Sequence, residues 1–484
     1  MKKILALVVV FAFALTLSAC NKDDNKLVIW SFTDELEAQG DIEYWEEMYS
    51  EKYDGMEIEY VVVDTADYMT KIKPVLKSGK GAPDVFTGEL DMIKNFMEAG
   101  YMADLEKMMK DDEDIDFDAV EADFIPYVWQ SGQDADGTLR GLSWQSTPGA
   151  VFFRADLAEL VWPNWDTVTP SDNAPSDVAT DADGTYQFIY DFMSYEKFNS
   201  KEQLVTTAQE VVDSGQNIKL FPDEQAIRFF AQGENPKSWL KDGSINPERM
   251  YDQIEYMEIA KDFYSDDTAS AFTINAGEWS PEWFGGISGP VSPVDSDTEY
   301  QIMSYTLPTW GLFHVMEPSS MVKDDDGNVT STYGDWRLAS GPNSYYWGGT
   351  FLGVYTNSEK KDAAYDFIKS MTLDTDRMLE RARENGDVYS RISIMETISS
   401  EYSGNPFLGG QNHFDYFLPE AQKIDVSTVT KHDRQLDTLL GTYVEDYRTG
   451  EKTLEEALNE FYDEVEATLG EEYVTHDLPT APRS

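Results

Sequence analysis

The chain opens Met1-Lys2-Lys3 and is then apolar from Ile4 to Leu17, a positive start followed by a hydrophobic run of signal-peptide length, too short for a permanent membrane span. Beyond it the pattern becomes periodic. Leu27–Trp30 (LVIW) predicts a short strand, and Asp41–Lys52 predicts an amphipathic helix with Ile42, Trp45 and Tyr49 on one face. Ile58–Val63 predicts a second strand and Tyr68–Ser78 a second helix. Pro83–Phe86 (PDVF) predicts a third strand, followed by a helix through Met92–Met97 that stops at Gly100. Strands alternating with helices at this spacing argue for a parallel α/β sheet, in which ligands gather at the carboxyl ends of strands. The residues just after LVIW and PDVF therefore point toward a site.

Further on, Asp136-Gly137 and Asp183-Gly184 predict tight turns. Neither has calcium-loop spacing, because glycine is fourth rather than sixth and Gln145 and Phe192 fall where a glutamate is needed. The acidic run 111–118 predicts a solvated segment, and 165–185, rich in Asp, Pro, Thr and Ser, predicts an exposed loop. Gly450 breaks the chain before a closing helix over Thr453–Leu469, whose apolar face is Leu454, Ala457, Leu458, Phe461 and Val465.

Charge narrows the class. With 91 acidic and 37 basic residues, a formal charge of −54 repels nucleic acid and anionic membrane surfaces. Hydrophobic content of 41% argues for a packed globule rather than disorder, and the length for two or three domains. Cys20 is the only cysteine, so no disulfide can form within the chain. No GxSxG, P-loop or HExxH pattern is present, and His314, His413, His432 and His476 are too far apart in sequence to suggest a metal motif. No cofactor and no metal are expected.

Leu17-Ser18-Ala19-Cys20 resembles the bacterial lipobox. That resemblance implies cleavage after residue 19, diacylglyceryl modification of Cys20, and a polar tether over 20–26 holding the body at the outer face of the cell membrane through lipid alone. The rest of the chain is similar to the extracellular solute-binding proteins (family 1) of carbohydrate ABC importers, the group that includes maltose-binding protein. The similarity rests on LVIW with Asp34 soon after, PDVF with its glycine-ended helix, and DGTLRGL over 136–142 before Phe152-Phe153-Arg154. It continues with AFTIN over 271–275 ahead of Gly277-Glu278-Trp279, then WGGTFLGV over 347–354, and ends with the TLEEAL helix.

The resemblance implies an α/β fold of two lobes joined by crossing strands, with the ligand cleft between them. Its order of pieces assigns 27–147 and 352–405 to the first lobe and 148–351 and 406–484 to the second. Crossovers near 145–151 and 349–354 would be the hinge. It also implies a monomer that captures an oligosaccharide and hands it to the importer's permease subunits. A sugar needs an aromatic face for its C–H surface and carboxylates for its hydroxyls. Trp279 falls at the family's stacking position, with Trp283 close by; Trp347 and Trp144 flank the two crossovers. Asp34 follows the first strand as a sugar-binding aspartate does in the family, and Glu89 and Asp91 follow PDVF. Each of these acids also suits a helix N-terminus. Trp30 ends its strand, where core and ligand positions both fit. Thr87-Gly88 stands where the family has a tryptophan, which leaves first-lobe stacking open. An exported glycoside hydrolase and a binding protein for a non-sugar ligand are the alternatives.

Overall fold

The computed structural model describes residues 25–232, 237–264, 271–294, 296–323, 329–475 and 477–483. The predicted signal peptide, Cys20 and residues 21–24 lie outside the described residues, as does the side chain of Asp91.

The strands predicted from LVIW, IEYVVV and PDVF form as β1 (Lys26–Ser31), β2 (Glu57–Val62) and β3 (Val85–Gly88). β4 (Leu142–Ser143) follows, then β5 (Gly149–Arg154), β6 (Ser304–Pro308), β7 (Trp336–Ala339) and β8 (Phe351–Val354). One sheet has the order β2-β1-β3-β8-β4, with β1 parallel to β2 and β3 and β8 antiparallel to β3 and β4. A second is the antiparallel trio β6-β5-β7, and three two-stranded ribbons complete the sheets among the described residues.

Two hydrophobic cores accompany the sheets, and β5 touches both. Ala150 and Phe152 join the core that holds Leu27, Ile29 and Phe86, while Val151 and Phe153 join the core that holds Met250, Leu458 and Phe461. The period-2 alternation of a strand produces this division, and burial on both faces explains why GAVFF carries no polar side chain before Arg154. The predicted closing helix forms over Leu454–Leu469 with Thr453 and Glu456 as a capping box. Ala457, Leu458, Phe461 and Val465 are all fully buried along its apolar face.

The two sheets are joined by crossing segments. Residues 145–149 and 345–350 run alongside each other: Gly149 N donates to Tyr345 O at 2.7 Å, Trp347 N to Thr147 O at 3.1 Å, and Thr350 N to Gln145 Oε1 at 3.2 Å. Gly348 and Gly349 have φ of 74° and 101°, a left-handed backbone that non-glycine residues adopt only with strain.

Candidate functional site

Where the crossing strands leave the second sheet, four aromatic rings meet. Trp279 sits just ahead of the helix Pro281–Ser288, in which Ser280 is the N-cap accepting from Trp283 N at 3.2 Å and Pro281 takes the first helical position. Trp279 thus occupies the residue before the cap and packs on Phe284 with ring centroids 6.0 Å apart, the arrangement of a hydrophobic staple. Its φ is +68°, a left-handed conformation that costs a bulky L-residue about 1–2 kcal/mol. Trp310 lies nearly parallel to it, 6.2 Å away and 16° tilted, and donates Nε1–H to Trp347 O at 3.0 Å. Trp347 meets both rings edge-on at 6.1 and 5.4 Å, and Phe229 continues the wall 5.2 Å from Trp347. Trp279 is still 44% exposed, so this wall presents indole surface to solvent.

Charged groups rim the wall. The Arg228 guanidinium lies 4.7 Å from the Trp347 ring and pairs with Glu278 at 2.5 Å. From the first sheet, Glu89 comes to the same place: a Cβ added to Gly348 would lie 3.3 Å from Glu89 Oε1 and 3.4 Å from Trp310 Nε1. Glu89 Oε2 also accepts from Arg434 Nη1 at 3.2 Å, and Glu98 pairs with Lys431 at 2.6 Å. These two pairs tie the helix Leu90–Glu98 and its N-cap to the start of the helix Asp433–Arg448, across the space between the sheets.

Of the residues expected from sequence, the structure brings Trp279, Trp347 and Glu89 together. It places Trp144 elsewhere and Trp283 behind the wall, its ring 5.3 Å from that of Trp279, which corrects the expectation that they face a ligand. Trp144 is completely buried beside the Arg381 guanidinium, because its crossing segment is covered on both sides. Trp283 is 3% exposed, its ring edge-on to Tyr305 at 5.0 Å, because the third residue of its helix faces β6 rather than the cleft. Trp30 is half-buried against the first core, and Asp34 is an exposed helix N-cap whose side chain makes no cap hydrogen bond; no contact joins either to the aromatic wall. Trp310, Phe229 and Arg228 were not expected. The one sequence signal for Trp310 is its place in Pro308-Thr309-Trp310-Gly311, directly after an apolar segment.

Near the hinge, Glu35 Oε1 accepts from Gln39 Nε2 at 3.1 Å and from Gln145 Nε2, and Gln145 in turn holds Thr350 N. Loss of hydration pushes the Glu35 carboxyl up to about 8, with Asp387 and Asp41 adding to the rise and Arg381 opposing it. An acid that keeps its proton in the folded state while losing it near 4.5 when unfolded contributes stability at low pH, which declines as pH rises from about 4.5 to 8. Glu35→Gln keeps the shape and the carbonyl acceptor without the titration. Its urea midpoint is therefore expected to gain on the wild type between pH 5 and pH 8; an equal difference at both pH values would show that Glu35 is charged throughout.

Among the described residues, no group of His, Cys, Asp and Glu is arranged to hold a metal, and no helix is long and apolar enough to cross a membrane. Two lobes built on separate sheets, with crossing segments between them and an aromatic wall at the crossing, make up the architecture of the chain. Residues 45–280 match the family described as bacterial extracellular solute-binding protein, and the chain has that two-lobed fold.

Solved structures resemble the chain over nearly its whole length. An extracellular solute-binding protein of family 1 aligns with 91% of this chain and 99% of its own at 15% identity and a TM-score of 0.66. The GacH receptor of Streptomyces glaucescens, solved unliganded and with acarbose, aligns over 93% and 99% at 17% identity and a TM-score of 0.61. The galacto-N-biose/lacto-N-biose I-binding protein of a Bifidobacterium longum ABC transporter, solved with lacto-N-biose, aligns over 92% and 96% at 14% identity and a TM-score of 0.62. No curated protein matches the sequence.

Proposed function

We propose that this protein captures an oligosaccharide outside the cell and delivers it to the permease subunits of an ABC importer. The observation that carries the reading is the Trp279–Trp310–Trp347 wall with Glu89, Arg228 and Glu278 at its rim. Indole faces cover the C–H surface of a sugar ring, and fixed carboxylates and a guanidinium meet its hydroxyls. The strained backbone of Trp279 is the kind of cost that is retained where a side chain must be aimed at a ligand. Structural relatives solved with acarbose and lacto-N-biose support the same class of ligand.

Calorimetric titration with glucose, galactose, maltose, maltotriose, β-1,6-galactobiose and lacto-N-biose tests it, with chromatography of the same mixtures for products. Saturable binding to at least one di- or trisaccharide with no new products is the expected result. Binding to none would remove the sugar, and release of monosaccharide would make the protein a hydrolase.

The mature protein is a monomer in this reading, tethered through acylated Cys20. Cys20→Ala is expected to move the protein from the membrane fraction to the supernatant with sugar affinity unchanged; retention in the membrane fraction would remove the lipid anchor.

A further inference from the structure

The helix His413–Lys423 carries none of the wall residues, yet it is hydrogen-bonded to both lobes. At its start, His413 Nε2 meets Gly386 O at 2.8 Å, and since a carbonyl only accepts, the ring nitrogen donates. Asp415 accepts from Ser399 Oγ. Gly386 caps the helix Thr375–Asn385, and Ser399 belongs to the helix Ile392–Glu401. The stretch between those helices is fixed to the lobe of the first sheet: Ser390 N donates to Trp144 O at 2.9 Å, and Arg391 pairs with Asp123 at 2.5 Å.

The same helix also holds the lobe of the second sheet. Just ahead of it, Gln411 accepts from Leu338 N at 2.7 Å and donates to Leu338 O at 3.0 Å on β7. Tyr416 donates to Ala339 O at 3.0 Å. Glu420, four residues on and so on the same face, accepts from Ser340 Oγ at 3.0 Å with one carboxylate oxygen and from Ser344 Oγ with the other. Ser344 is followed directly by Tyr345, whose ring stacks on Phe229 at 4.3 Å, and then by the crossing segment with Trp347. Residues 340–344 are thus the root of that segment, gripped at both ends by one side chain. Glu420 is only 5% exposed, and burying a carboxylate is costly where an apolar contact would also hold a helix. What the charge adds is geometry, because two oxygens fix two points of a five-residue segment.

We propose that this helix is a strut across the hinge, and that the Glu420 clamp biases the lobes toward the arrangement seen here, in which Glu89–Arg434 and Glu98–Lys431 bridge the space between them. The clamp touches none of residues 89, 228, 279, 310 and 347, so it acts on the equilibrium between arrangements, with or without a ligand.

Spin labels on Glu47→Cys and Glu466→Cys, exposed positions on the two lobes, read the separation by double electron–electron resonance in the Cys20→Ala background. No sugar is added, so the outcome does not depend on the proposed ligand. Glu420→Gln removes the charge, and Ser340→Ala with Ser344→Ala removes the donors. A cavity of about 500 Å³ lies beside Glu420, with Lys423 61% exposed at its edge, so water reaches the groups set free and folding is not at risk. Each variant is expected to raise the ratio of long to short separations by about tenfold, the worth of one charge-assisted hydrogen bond. The three substitutions together should do no more than either set alone, because both break one clamp. Val465→Ala, a core truncation in the closing helix, controls for lost stability and should leave the distribution unchanged. Unchanged distances in either clamp variant, an equal shift in Val465→Ala, or additive effects in the combined variant would each overturn the proposal.

Discussion

Trp279→Ala is expected to weaken sugar binding by between about tenfold and a hundredfold while leaving the unliganded fold nearly intact. Stacking a sugar face on indole removes water from two apolar surfaces, and at roughly 25 cal/mol per Å² over about 100 Å² this amounts to about 2.5 kcal/mol. The side chain is 44% exposed, so its removal does not leave the closed cavity that makes core tryptophan truncations cost about 3–5 kcal/mol of stability. What it gives up in folding is the staple contact with Phe284 and the packing on Trp283, Trp310 and Trp347, partly offset by relief of a left-handed backbone at a bulky residue. Calorimetry with the best-binding saccharide and a melting curve without ligand decide between the roles. Unchanged affinity with a melting temperature lowered by many degrees would make Trp279 a structural residue and move the site off the second lobe.

Asp41→Ala is expected to cost about 3–5 kcal/mol of folding stability. Asp41 is completely buried and pairs with Arg377 Nη2 at 3.1 Å and Arg381 Nη1 at 3.2 Å. Burial pushes its carboxyl up to about 6 against the pull of both arginines, so the ionised form is itself expensive. Removing it is worse, because two guanidiniums are then left in the core, one 9% and the other 3% exposed at the side chain, with less negative charge to face. Replacing Arg381 by Met in the Asp41→Ala background should recover part of the loss. Urea unfolding followed by fluorescence and by circular dichroism measures both. A loss below about 1 kcal/mol would mean that water or another acid compensates the arginines.

These two residues show what a linear pattern carries and where it stops. The expectation for Trp279 comes from the resemblance, which puts it at the family's stacking position, and from its place after an apolar segment ending at Ile274 and between Gly277 and Pro281, which suit a loop. Asp41 was not legible, since an acid at the first turn of an amphipathic helix reads as solvated, and its partners lie 336 and more residues away. Trp144 and Trp347 flank the two crossovers in the same way by sequence, yet one is sealed and the other lines the wall. Their exposure depends on which segments cover the crossing, and nothing within a few residues of either encodes that.

By itself the sequence determined the alternation of strands and helices, the closing helix and the exposed 165–185 loop, because each depends on periodicity or on φ preferences within one or two turns of chain. It also determined the net charge that excludes nucleic acid. Only the tertiary structure decided which residues of the candidate site come together. Residues 89, 228, 279, 310 and 347 meet because β8 returns to pair with β3 and β4 after the whole second sheet has formed between them. Such pairing is set by the burial of both cores at once, a property of the folded chain that no local window contains.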